Sequence, residues 1–305
     1  MVFGFALAVL AGWLLGERPP SGHAGADAGV VAMIALAVAW FLARILLFTG
    51  PLLAAAVVEM AFLLAVALLA WRRDASRASR WRVAGLLAMA AADAVFFLEQ
   101  AALLSVPRGK AALAAFYVAV LLASFASGSR EPAPRLALGA TLATALAFAC
   151  ALLDASAGTA SFALVAGVLQ LLAWLRTAPA TGSPEQRWSF GLAHAWLIAG
   201  LGLLGLEAIQ PPWGATSTHA FGFGLLGGVA FTLLPGGHPD DGYERGAVLR
   251  LALLMLLHAG VLARVAGAFV SPLGPVHAWL LSGSALAWAS AFALWLLSLI
   301  HISEP

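Results

Sequence analysis

The feature that most constrains this chain is a succession of apolar runs, each about as long as a bilayer is thick, that uses nearly its whole length. A spanning helix needs roughly 20 mostly apolar residues. The runs that meet or approach this are Met1–Leu15, Ala28–Phe48, Pro51–Trp71, Arg82–Leu104, Lys110–Ser127, Arg135–Leu153, Thr159–Arg176, Trp188–Ile209, Ala215–Pro235, Ala247–Phe269 and Val276–Leu296. Turn formers stand between them: Pro19-Pro20-Ser21-Gly22, Gly50-Pro51, Pro211-Pro212 and Pro235-Gly236-Gly237. No alternating barrel pattern occurs, so the helix is the structure that satisfies the backbone in hydrocarbon. The expected fold is all-α: a polytopic transmembrane helix bundle of about eleven helices. It forms one membrane domain over 1–296.

Composition supports this. Hydrophobic residues make up 63% and charged residues 10% of the 305 positions, with a mean hydropathy of +0.97. Soluble domains carry about 25% charge, so a soluble protein this long could not cover its surface. The basic residues stand in short loops and form no face for nucleic acid. The single cysteine, Cys150, excludes a disulfide within the chain. Most of the 16 Lys and Arg fall in or beside the odd-numbered loops: Arg18, Arg72, Arg73, Arg77, Arg80, Arg82, Arg130, Arg135, Arg176, Arg187, Arg245 and Arg250. Even loops hold Arg108 and Lys110, which places the odd loops in the cytoplasm.

Both ends read unusually. Met1 already lies inside an apolar run, which suggests sequence upstream. Residues 297–305 resemble a translated adapter tail, so His301 and Glu304 are set aside and the stretch is expected to be non-native.

Ionisable groups inside a membrane are costly and are functional candidates by default. With this orientation, Arg44, Glu59, Glu99, Glu207 and Arg264 fall in the outer half, Asp93 and His258 near mid-depth, and His219 and His277 at outer helix ends. His194 lies toward the inner side. Such a cluster suits a polar or cofactor site opening outward. The plainer alternative is that these charges pair with one another or snorkel to the interface. A neutral imidazole is a good ligand for haem iron or copper, but a lone intramembrane histidine more often bonds across a helix interface. His219 stands out because Ala220-Phe221-Gly222-Phe223-Gly224-Leu225-Leu226-Gly227-Gly228 follows it. Those glycines admit a flat macrocycle or a neighbouring helix, the latter through Gly224 and Gly228 as a small-xxx-small pair. No GxGxxG, Walker loop, HExxH or CxxC occurs.

Several segments together resemble the NnrS family. Phe3-Gly4-Phe5-Ala6-Leu7-Ala8-Val9-Leu10-Ala11-Gly12-Trp13-Leu14-Leu15 is similar to the family's second helix, and Arg18-Pro19-Pro20-Ser21-Gly22 to the loop after it. Leu192-Ala193-His194-Ala195-Trp196-Leu197 resembles a histidine-bearing helix. Thr218-His219-Ala220-Phe221-Gly222-Phe223-Gly224 resembles the HALTVGA motif, the most specific match. Gly236-Gly237-His238-Pro239 stands near the LGHTG loop, and Leu262-Ala263-Arg264-Val265 where the family has LRV. The chain departs where Gly16-Glu17 replaces an NW pair, Gly128-Ser129-Arg130 a GRVIP segment, and Leu233-Leu234-Pro235 a TR pair.

The resemblance implies a multi-pass protein of the bacterial inner membrane, with about twelve helices at full length, that carries haem and copper. The expected role is in nitric oxide metabolism, nitrosative-stress resistance or the handling of dinitrosyl–iron species. His219, His194 and His258 are then the candidate metal or haem ligands, and Arg264 and Arg44 the partners of haem propionates, because guanidinium forks match carboxylates. Whether the protein is an enzyme stays open. One rival is a transporter using Glu59, Asp93, Glu99 and Glu207, with His277 a further buried polar group. Another is a membrane scaffold or assembly factor without chemistry.

Overall fold

The computed structural model describes residues 110–127, 134–176, 184–210, 216–229, 243–270 and 274–302, with isolated helical positions between 42 and 95. Among the described residues the chain is helical and holds no strand. It divides into two compact units, Met1–Leu122 and Ala123–Pro305. Helix α1, Lys110–Ser127, straddles the division. Its residues Phe116, Ala119, Val120 and Ala123 are buried, a spacing that gathers them on one helical face. In the first unit Ala55 and Phe62 are buried, whereas Val57, Leu64 and Leu68 are exposed.

The second unit contains α2 (Pro134–Leu152), α3 (Ser156–Arg176), α4 (Pro184–Ile209), α5 (Thr216–His219), a π-helical segment (Ala220–Leu226), α6 (Tyr243–Gly267) and α7 (Pro275–Ile302). Among the described residues, four helical stretches are long and apolar enough to cross a bilayer: Arg135–Leu152, Ser156–Arg176, Arg187–Ile209 and Val248–Gly267. Helix α7 continues to Ile302, into the stretch set aside at the sequence level. The larger number of spans expected from the sequence includes runs outside the described residues.

Burial in α2 and α3 favours small and polar residues, while Leu197, Leu201, Phe221, Leu254 and Leu257 fill the core around α4 and α6. In α3 the buried positions are Thr159, Ala163, Ala166 and Gln170. They are small or polar, and their spacing puts them on one face. Leu164 (68%) and Leu175 (69%) are exposed on the same helix. Helix α2 largely repeats the pattern, burying Ala140, Ala143, Thr144 and Ala147 and exposing Leu138 and Leu142, with Phe148 the large side chain it buries, edge-on against Phe221. Large apolar side chains outside and small residues inside are what lipid selects, because helices there associate by close packing rather than by hiding oil from water. The threonine hydroxyls cause no conflict: Thr144 donates to Ala140 O at 2.8 Å and Thr159 to Ala155 O at 3.0 Å.

Helices α2 and α3 form a tight hairpin. Ala155 N–H donates to Cys150 O at 2.9 Å and Asp154 N–H to Ala151 O at 3.3 Å, the paired bonds of a Schellman helix stop. That stop needs a left-handed residue, and Asp154 supplies it at φ 57°. Aspartate is among the few side chains that tolerate this region.

Helix α4 is the centre of the unit. Toward α3 it presents Gly191, His194, Leu201 and Gly205. Toward α5 and the π segment it presents Ala193, Trp196 and Gly200. The second face interlocks tightly. A methyl on Gly200 would enter the Phe221 ring, one on Gly224 would enter the Trp196 indole, and one on Gly228 would meet Ala193 Cβ at 3.0 Å. The expected small-xxx-small packing through Gly224 and Gly228 is therefore present, with the open faces of both glycines filled by α4. The run from Ala215 read as one regular helix, but its Ala220–Leu226 portion is π-helical. Gly227 N–H reaches Gly222 O, one residue further back than an α turn. Single π turns occur often at functional sites.

Candidate functional site

Four polar side chains singled out in the sequence gather at one end of the second unit, where α4 and α6 finish and α5 and α7 begin. Glu207, in the last turn of α4, accepts the Ser217 backbone N–H at 2.7 Å and the Ser217 hydroxyl at 2.5 Å. Both carboxylate oxygens are thus engaged, and one satisfies a backbone donor that the start of a helix leaves without an internal partner. His277 Nδ1 lies 2.8 Å from Gly267 O. A carbonyl only accepts, so this nitrogen donates and tethers the start of α7 to the end of α6. Glu207 and His277 therefore both join helix ends.

His219 and Arg264 are placed differently. His219 is half-buried, with its ring 5.9 Å from that of Phe223. The Arg264 guanidinium lies over the Phe223 ring, 5.9 Å from its centroid. Trp288 closes on Phe223 edge-on at 5.3 Å. Arg264 Nε is buried without a hydrogen-bond partner among the described residues. Cation–π attraction of about 0.5–2 kcal/mol offsets part of the cost of holding the cation there. Phe223 thus joins His219 and Arg264 into one cluster across the π segment and α6.

His194 and His258 lie deeper, each 5% exposed. They do not share a site. His194 faces α3, while Trp196, which holds His258, is two residues on and turned about 200° around the helix. The His194 Nε2 is 3.3 Å from the backbone oxygen of Gln170. This nitrogen must donate, which leaves Nδ1 with a lone pair, and Nδ1 is buried without a partner among the described residues. The ring also lies against Trp174, with centroids 6.2 Å apart. Gln170 continues the polar chain through its side-chain amide, which donates to Thr144 Oγ1 at 3.4 Å.

His258 is wired in the opposite sense. Trp196 Nε1–H donates to His258 Nδ1 at 2.9 Å. An indole nitrogen only donates, so Nδ1 is the acceptor and Nε2 carries the proton in the neutral ring. Turning the ring over would put a C–H against the indole and forfeit the bond. His258 Nε2 is buried and has no partner among the described residues.

Among the described residues no three His, Cys, Asp or Glu side chains converge as a metal-holding group. Arg44, Glu59, Asp93 and Glu99 lie outside the described residues. The sequence reading missed Trp196 and Gln170. Gln170 had a signal, as an amide in the apolar run of α3. Trp196 had a weaker one: an indole at mid-helix rather than at a membrane interface needs a partner for its N–H.

No curated protein and no solved structure matches the chain significantly. A family model described as NnrS protein matches residues 1–303. Spanning almost the full length of a chain whose helices suit a bilayer, that match places the protein in the NnrS family.

Proposed function

We propose that this NnrS-family protein binds haem and copper within the membrane and acts in nitric oxide metabolism or nitrosative-stress resistance. The observation that carries the reading is the family match over residues 1–303. The donor set is compatible with it. Metal-bound histidines almost always give their other N–H to a carbonyl, carboxylate or water. His194 has this arrangement, with one nitrogen bonded to Gln170 O and the other buried without a partner among the described residues. His219 forms no hydrogen bond among the described residues and is the second candidate donor. Arg264, whose Nε has no hydrogen-bond partner among the described residues, offers a cation in the same cluster, suited to a propionate carboxylate.

Bound iron or copper would supply the coordination of nitric oxide. The chain's part is to keep His194 in its ligating tautomer through Gln170, to exclude water with small-residue packing, and to present Arg264 to negative charge. The transporter reading loses Glu207, whose two oxygens are both taken by Ser217.

The test is to purify the protein from its full reading frame and record a reduced-minus-oxidised visible spectrum with metal analysis. Wild type, His194→Ala and His219→Ala are compared. Haem and copper in the wild type, reduced in the variants, are expected. A colourless, metal-free wild type would reject the reading and direct attention to transport assays.

A further inference from the structure

The second buried histidine invites a different role from the first. Its Nδ1 lone pair is taken by Trp196, and its other nitrogen bears the proton, so neither ring nitrogen has a lone pair to offer a metal. The arrangement is also held in place. Trp196 lies against Gly224, where a single methyl would collide with the indole, so the ring has little room to rotate away. His258 Cε1 lies near Gly228, within 3.4 Å of where a Cβ would be, and Ser189 Oγ donates to Gly228 O at 3.4 Å. These contacts come from α4 and the helix that continues the π segment, and together they confine the imidazole. Its buried Nε2 has no partner among the described residues. A buried N–H without a partner is uncommon in folded proteins, because it forfeits its hydration.

We propose that Trp196 is a positioning residue that locks His258 in its Nε2–H tautomer, making His258 a hydrogen-bond donor to the lone pair of a small polar molecule held inside the bundle rather than a metal ligand. The acceptor is an oxygen or nitrogen atom of an internal water or of a small bound ligand. This rests on the cofactor reading only for the identity of that acceptor, and the tautomer and the donor role stand without it.

The experiment uses the full chain in lipid nanodiscs with 15N-labelled histidine and without added ligand. Long-range 15N–1H spectra distinguish a protonated from an unprotonated ring nitrogen, and His258→Gln identifies the His258 signals by their loss. In the wild type, Nε2 is expected to be protonated and Nδ1 unprotonated, with the Nε2 proton shifted downfield as in a hydrogen bond. Trp196→Phe, which keeps an aromatic ring but removes the N–H, is expected to yield a mixture of tautomers. An Nδ1–H tautomer in the wild type, or an Nε2 proton at the position of a free imidazole, overturns the proposal. So does an unchanged tautomer in a folded Trp196→Phe.

Cofactor content separates this idea from the previous one. If the wild type carries haem or copper, His258→Gln is expected to retain it, and a tenfold or greater loss of metal affinity would make His258 a ligand and overturn the donor role. If the wild type carries none, the cofactor reading fails while the tautomer spectra still decide this one.

Discussion

The two faces of α4 use glycine to different ends. Toward α5 and the π segment there is no spare volume: a methyl on Gly200 would overlap the Phe221 ring and one on Gly224 the Trp196 indole. Toward α3, a methyl on Gly191 would stand 3.8 Å from Trp174 and one on Gly205 3.6 Å from Ala163, both ordinary contacts. The tight face holds Trp196 against His258 and fixes which nitrogen carries the proton. The looser face holds His194, whose tautomer is set by a single backbone carbonyl and whose second nitrogen has no partner among the described residues. Close packing on one side thus accompanies a histidine with no lone pair to give. Slack on the other accompanies one that has a lone pair available. The same side chain, on two sides of one helix, is prepared for opposite chemistry.

The contrast can be broken most readily at its tight side. Gly200→Ala is expected to cost about 1–3 kcal/mol, the usual penalty of overpacking a filled interface, seen as a lower midpoint of thermal unfolding in detergent. Gly224→Ala should behave alike, and an unchanged midpoint for both would mean that the interface yields and the contrast is spurious. Next in size is Glu207→Ala, which removes the acceptor of the Ser217 N–H and hydroxyl at the start of α5. A lost cap of this kind costs about 0.5–2 kcal/mol, again read by thermal unfolding. No change there would mean that water replaces the carboxylate without loss.

Two smaller effects concern the loose side. Thr144→Val removes the acceptor of the Gln170 amide and should cost about 0.6 kcal/mol, the average for an interhelical side-chain bond in a membrane. A cost several times larger would show that the polar chain from Thr144 to His194 is a cooperative unit. Gly205→Ala should stay within about 0.5 kcal/mol of wild type, since the added methyl meets only van der Waals neighbours. If it destabilises as much as Gly200→Ala, the two faces are equally tight and the comparison collapses.

Much of this was readable from residue order. The apolar run from Arg135 to Leu153 anticipated α2 to within a residue at each end, and the run beginning at Thr159 lies inside α3. Gly224 and Gly228 were legible as a packing pair because small residues at that spacing share a helix face. Glu207 stood out as a polar group near a helix end, though its partner did not, since Ser217 is ordinary in isolation. The π turn was not legible. Its hydrogen bonds depend on how Phe221 and Gly224 seat against Gly200 and Trp196, which local sequence does not encode.

Sequence alone determined that the chain is helical and suited to lipid. Both follow from how many apolar residues stand in a row and from the need to satisfy every backbone group where water is absent. It also narrowed the candidate donors to a few histidines and arginines, because ionisable groups are costly there. Which histidine offers a lone pair and which offers a proton was decided only by tertiary structure. An imidazole's tautomer is set by the group opposite it, and those groups are Gln170, 24 residues before His194, and Trp196, 62 residues before His258.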